Sequence, residues 1–177
     1  VIAVPTTASG CDRAFLEMPE DWDHFEPFME AALERLPTLN DIGIQHFMNG
    51  PESFTPDTRP LLGESPYLRG FFVAAGFNST GMMSSAGAGQ VMARWINDGA
   101  PPYDLWDVDI ARFERAHNAS GYLNARIPES VGDVFNLHWP HKQTKSGRDL
   151  RRLVLHQQLE DAGAVFGSVG GWERPLW

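Results

Sequence analysis

The sequence predicts a mixed α+β / α/β chain: a strand, a glycine turn and a helix, followed by a smaller α+β unit. Three observations carry this. The stretch Gly70 to Ile96, GFFVAAGFNSTGMMSSAGAGQVMARWI, passes from an apolar run through small residues into an amphipathic segment. After Gly99 the composition shifts to proline and aspartate, which reads as a connector over Ala100–Asp109. Beyond it come short helical patches and a last strand-like run, with no internal repeat and no low-complexity tract.

The elements follow in chain order. Val1–Val4 looks like the remnant of a strand. The acidic run Glu17–Asp23 reads as a solvated lead into a helix. Pro27 suits the first turn of that helix, which should run to about Leu36 with Phe28, Ala31, Ala32 and Leu36 on its apolar side and Pro37 as its stop. Ile42–Phe47 reads as a strand ending near Asn49-Gly50. Phe54–Arg59 holds a turn with Pro56 at its first central position, and Pro60–Gly63 is a short strand after it.

Phe71–Ala75 is the strand of the glycine unit. Gly76 ends it and can take positive φ, Gly81 leaves backbone room for a ligand, and Gly87 and Gly89 let the helix lie close to a sheet. Ser84-Ser85 are N-cap candidates, Val91, Met92, Trp95 and Ile96 form the buried face, and Asp98-Gly99 with Pro101-Pro102 end the helix. In the second half, helical patches are expected around Ile110–Arg115, Ser120–Val134 and Leu153–Ala162, then a strand over Ala164–Val169. Pro140–Arg152 reads as a basic loop with solvated charges.

A strand that runs through glycines into a helix aims free backbone N–H groups at the strand's carboxyl end, a site for an anion or a polarised ring edge. Familiar phosphate motifs do not fit it. Gly76 and Gly81 have P-loop spacing, but Met82-Met83 stand where Lys and Ser/Thr are needed. Gly87-Ala88-Gly89 opens like a dinucleotide fingerprint, but Met92 replaces the third glycine. A nucleophilic serine would need G-x-S-x-G, which Gly76–Gly81 does not match.

Composition removes other functions. A net charge of -9 argues against nucleic acid and against an anionic membrane surface. No apolar run approaches the ~20 residues of a membrane span. One cysteine, Cys11, excludes an internal disulfide and fits a reducing compartment, and nothing around it marks a reactive thiol. The sequons at Asn78 and Asn118 then read as accidental. His138 and His141 are separated by Trp139-Pro140 and lack further ligands, so no metal is expected. His24, His46, His117 and His156 each stand alone and read as packing or surface residues.

The words Asn49-Gly50-Pro51-Glu52-Ser53-Phe54-Thr55-Pro56-Asp57, Pro60-Leu61-Leu62-Gly63-Glu64-Ser65 and the glycine segment resemble the last part of the flavin domain of FAD-dependent amine oxidoreductases. Asp104–Phe113, Leu150-Arg151-Arg152 and Gly171-Trp172-Glu173-Arg174-Pro175 resemble the connector that follows it in the dimethylglycine and sarcosine dehydrogenases and in the pyruvate dehydrogenase phosphatase regulatory subunit. The resemblance implies that residues 1–99 are the C-terminal part of a DAO-type, glutathione-reductase-like FAD domain, and that residues 100–177 are a central linker domain. It implies that the chain is a piece of a longer protein. The missing parts would be an N-terminal half with the dinucleotide fingerprint and a C-terminal aminomethyltransferase-like domain that could use tetrahydrofolate.

It further implies oxidation of an N-methylated, glycine-like amine at the CH–NH bond, with Ser79, Thr80, Gly81, Met82, Met83 and Ser84 against the flavin ring and Gly76, Phe77 and Asn78 adjoining. No residue of the chain is assigned as a catalytic base. The implied partners are a small amine and an electron-transfer protein, and the implied location is bacterial cytoplasm or the mitochondrial matrix, without secretion. The 177 residues alone are expected to be inactive. Two departures stand out: several amine oxidoreductases place a substrate-clamping arginine just before the Thr-Pro-Asp turn, where this chain has Glu52 in the neighbourhood, and Gln90 replaces a usual lysine. Glu52 and the lack of a base leave open a catalytically silent regulatory relative.

Overall fold

The computed structural model describes residues 17–140 and 142–177. The expected strand Val1–Val4, Cys11 and His141 lie outside the described residues. Two compact units divide the chain, Ile2–Glu52 and Ser53–Trp177.

In the first unit, helix α1 spans Trp22–Arg35 and starts one and a half turns before Pro27. Asp21 caps it, its carboxylate accepting the His24 N–H at 3.0 Å, so the acidic run supplies the cap and Pro27 is carried inside the helix. Phe28 and Leu36, expected on an apolar face, are exposed, and α1 buries no residue. Residues 42–49 form no strand. Among the described residues no strand pairs with the segment; it folds back on the helix start, with Met18 N–H donating to Asn49 O at 2.7 Å and the Phe47 ring tilted on Trp22 at 4.6 Å and edge-on to Phe25 at 5.3 Å.

The second unit begins with the expected turn: Thr58 N–H donates to Thr55 O at 3.3 Å around Pro56. Strands β1 (Leu61–Glu64) and β2 (Phe72–Ala75) pair antiparallel, with Leu62 opposite Ala74. This is a two-stranded ribbon, so β2 is not a buried central strand and its Ala74 and Ala75 are exposed. The connector lies along the other edge of β1, where Leu62 N–H donates to Val108 O at 2.8 Å.

Helix α2 spans Gly81–Asp98 and ends in Gly99 at φ 75, as Asp98-Gly99 predicted. Ser84-Ser85 lie inside its first turns; Thr80 is the N-cap. Ala88, Met92 and Trp95, at helical spacing, join Leu62 in the core, with Phe72, Phe77, Leu105 and Val108 packed around them. Ile96, expected among them, is exposed, and a Cβ on Gly87 or Gly89 would meet open space. The close approach occurs at Gly63, where an added Cβ would lie 2.4 Å from the Trp95 ring.

The rest of this unit holds helix α3 (Ser120–Val134), a strand β3 (Arg151–Arg152), a short α4 (His156–Asp161), and the hairpin β4 (Phe166–Val169) and β5 (Trp172–Pro175). The sheet order is β3-β5-β4, with β3 parallel and β4 antiparallel to β5. The helical patch expected over Ile110–Arg115 is broken into two 3-10 turns, Ile110–Arg112 and Arg115–Asn118. Strand β5 is an addition to the sequence expectation: Gly170 and Gly171, at φ 57 and 78, form a two-residue turn of the type that matches strand twist.

Placing Ala at Gly63 should destabilise this chain by about 2–4 kcal/mol, from positive-φ strain plus collision with Trp95. Ala at Gly87 should instead stabilise it by about 0.5–1 kcal/mol. Denaturant midpoints of the two variants would separate the cases; equal midpoints would contradict this packing.

Candidate functional site

The glycine loop runs from Gly76 to the first turn of α2. Gly76 takes φ 63, and a Cβ there would meet Thr55 Cγ2 at 2.7 Å, so the loop leaves β2 tightly against the Thr55–Thr58 turn. Asn78 and Ser79 also take positive φ, 51 and 65. Asn78 is buried, with its Oδ1 accepting the Thr55 N–H at 2.8 Å and its Nδ2 donating to Gly76 O at 2.6 Å. Asparagine tolerates the left-handed region because its amide can bond nearby backbone in this way.

All six residues assigned from the sequence, Ser79, Thr80, Gly81, Met82, Met83 and Ser84, gather at one helix start. The Thr80 N–H and hydroxyl both donate to Phe77 O, at 2.9 and 2.6 Å, so the hydroxyl caps nothing. Ser84 N–H makes the first intrahelical bond, to Thr80 O at 3.0 Å. By helix geometry the N–H groups of Gly81, Met82 and Met83 point past the end. The first turn holds no acidic residue, and Met82 and Met83 are 96% and 81% exposed. The end is therefore a concentrated set of neutral donors with positive helix-dipole potential and apolar flanks, a donor set suited to the electron-rich edge of a flat heteroaromatic ring.

Sequence reasoning missed what holds this end. Thr55 Oγ1 donates to Arg59 O at 2.9 Å, and Arg112 Nη2 donates to the same oxygen at 2.9 Å. Arg112 also grips Asp57 with two bonds, Nε to Oδ2 at 2.7 Å and Nη2 to Oδ1 at 3.0 Å. Arg59 pairs with Asp107 on the surface. The signal was faint: an Asp in a turn and an Arg 55 positions later share no local pattern.

A cavity of about 310 Å³ lies beyond that pair, lined by Asp57, Arg112, Phe113, His117, Tyr122 and Gly171 among others. His117 is fully buried; its Nδ1 accepts the Glu114 N–H at 3.0 Å and its Nε2 faces Gly170 O at 3.2 Å. Those bonds require a neutral ring with its proton on Nε2, and burial pushes its pKa down. The packing role expected for this histidine agrees with that geometry. In the loop over residues 142–152 the charges of Lys142, Lys145, Asp149 and Arg152 are exposed as expected, while Arg148 differs in being bonded to a buried partner. Arg148 Nε donates to Glu173 Oε1 at 2.8 Å and Asp149 N–H to the same oxygen at 2.9 Å, with Glu173 1% exposed. The Arg148 hydrogen bond holds the Glu173 carboxyl below its usual range. Glu129 likewise ties α3 to the loop through the Ser146 hydroxyl and N–H and the Lys145 N–H.

A family model described as FAD dependent oxidoreductase matches residues 5–95, just over half of the chain. The chain belongs to the FAD-dependent oxidoreductases. A second model, the FAD dependent oxidoreductase central domain, matches residues 98–152. The chain is 42% identical over 165 residues to a 4-methylaminobutanoate oxidase (formaldehyde-forming) of Paenarthrobacter nicotinovorans, covering 93% of this chain and 20% of that protein. It is 44% identical over 158 residues to the mitochondrial sarcosine dehydrogenase of Mus musculus, covering 89% and 17%. It is 38% identical to the mitochondrial pyruvate dehydrogenase phosphatase regulatory subunit of the same species, covering 89% and 18%. The chain thus spans about a fifth of the length of these curated relatives. Among the described residues, no helix is long and apolar enough to cross a membrane.

Burial alone would raise the Glu129 carboxyl, but the Ser146 and Lys145 hydrogen bonds and the Arg126 charge outweigh it and hold it at about 2, against 4.5 when free. Its stabilisation is therefore complete above about pH 4.5 and lost as pH falls towards 2. Glu129→Gln should cost about 1.5–3 kcal/mol at pH 7 and flatten the acid limb of the stability curve. An unchanged acid limb in urea titrations would contradict the network.

Proposed function

We propose that the whole protein oxidises an N-methylated, glycine-like amine at its CH–NH bond with FAD, and that Ser79–Ser84 line the flavin ring. The observation that carries this is the start of α2, three N–H groups with no partner among the described residues and no acidic residue in the first turn, inside the stretch that matches the flavin-domain model. The printed names of the relatives, an oxidase of 4-methylaminobutanoate and a dehydrogenase of sarcosine, support an N-methyl amine as the substrate class. When bound, FAD supplies the two-electron acceptor for the reaction. The Gly81, Met82 and Met83 N–H groups present partial positive charge to the ring edge, and the apolar flanks of Met82 and Met83 keep water from competing for them. No base is assigned to this chain.

The domain division proposed is 1–99 for the end of the flavin domain and 100–177 for the central linker, supported by the model matches at 5–95 and 98–152. An electron-transfer partner, delivery of the one-carbon unit to tetrahydrofolate elsewhere in the protein, and a mitochondrial-matrix or bacterial cytoplasmic location belong to the same proposal. The second reading, a silent regulatory relative, is favoured by Glu52 in the neighbourhood where an arginine is expected and by the 38% identity to the phosphatase regulatory subunit.

Addition of sarcosine, dimethylglycine or 4-methylaminobutanoate to the whole protein should bleach its flavin absorbance; a stable flavin spectrum with every one of them would favour the silent relative. Gly81→Asp should lower flavin affinity about tenfold, about 1.4 kcal/mol, without loss of fold. An Asp in the first turn suits the helix dipole, and a Cβ at this position meets Phe77 at an ordinary 3.5 Å. Full flavin content in this variant would overturn the ring contact.

A further inference from the structure

We propose that Asn78 is the positioning residue for the flavin-facing start of α2, and that the Thr55–Arg59 turn sets its register from Arg112 of the central segment. This rests on the reading that Ser79–Ser84 face the ring.

Asn78 is 2% exposed, sits two residues before the N-cap and holds φ 51. Its amide works in both directions at once. The oxygen takes the Thr55 N–H at 2.8 Å, and the nitrogen gives to Gly76 O at 2.6 Å and lies 3.1 Å from Thr55 Oγ1. The loop cannot rotate without breaking bonds to the turn. The turn in turn is held from the central segment. The Arg59 carbonyl accepts from Thr55 Oγ1 and from Arg112 Nη2, both at 2.9 Å, so one oxygen joins the loop side to the central side. Arg112 is 11% exposed at its side chain and closes two further bonds on Asp57, with its Nη1 on Asp109 O at 3.0 Å.

A path of short hydrogen bonds therefore runs from Arg112 through Arg59 O to Thr55 and Asn78, with Asp57 as a second hold on Arg112, and the backbone from Asn78 carries it three residues on to Gly81. Donors tune a bound ring only when they are held to a fraction of an ångström, and misplacement weakens them steeply. The central segment is thereby a determinant of flavin electronics, although Arg112 lies outside the flavin-domain match and within the central-domain match at 98–152.

The test uses the whole flavin-loaded protein and two charge-conserving variants. Asn78→Gly keeps the positive φ and removes the amide; Arg112→Lys keeps the cation and removes the bidentate grip. The readouts are the midpoint potential of the bound flavin and the melting temperature. Asn78→Gly should reduce the preference for reduced over oxidised flavin about tenfold, about 30 mV for a two-electron couple. Arg112→Lys should shift it the same way by a smaller factor, and the double variant should fall short of the sum. A purely structural role would lower melting temperature and leave the potential of the retained flavin unchanged; that result in both variants overturns the proposal. Gly81→Asp separates the two levels. If it strips flavin while Asn78→Gly and Arg112→Lys leave the potential alone, only the positioning role fails. If it leaves flavin in place, the ring contact itself is wrong.

Discussion

The indole of Trp95 occupies the space that a side chain at position 63 would fill, and the orientation of α2 follows from that one contact. Gly63 at φ 112 opens the face of β1, Trp95 fills it, and Met92 and Ala88 continue the seam one and two turns nearer the helix start. The ribbon cannot shift along the helix without losing the largest buried side chain of this cluster. Because β2 leads through the glycine loop into the same helix, the seam also decides where the first N–H groups of α2 point. Packing at one end of the helix thus sets chemistry at the other.

The connector takes part in this arrangement. Leu105 and Val108 pack on the cluster, and Val108 hydrogen-bonds the edge of β1. The stretch after Gly99, distinct in composition, shares its apolar contacts with the ribbon and α2. Arg112 adds a polar tie to the Thr55–Arg59 turn. Proline and aspartate content reported the lack of regular secondary structure there. It could not report the pairing, because an irregular segment can still complete a sheet edge.

Several elements were legible because their signals are local. Asp98-Gly99 ended α2 through a left-handed cap, Pro56 made its turn, and α3 spans the expected Ser120–Val134. Where the expectation failed, the deciding partner lay far away in sequence. Ile42–Phe47 has strand-like composition but finds no strand to pair with among the described residues, and tilted and edge-on aromatic contacts with α1 take over. Trp172–Pro175 lacks an apolar alternation, yet it is a strand because β3 and β4 supply ladders on both sides. The helix start moved from Ser84-Ser85 to Thr80 because Asn78, tied to Thr55, turns the chain earlier. The turn from β2 into α2 was readable from its glycines; the support beneath it, spread over Thr55, Asp57, Arg59 and Arg112, was not.

The Gly170-Gly171 turn has a consequence for how this part of the molecule can vary. Val169 faces Trp172 across it, and that alignment turns Glu173 inward to the Arg148 guanidinium. Insertion or deletion of one amino acid at the hairpin tip would rotate every side chain of β5 to the opposite face. Glu173 would then meet solvent, a neighbour would take its place inside, and Arg148 would be left as a charge with no counterion. Length at this tip is therefore as constrained as identity, and natural indels in such chains should accumulate in other loops.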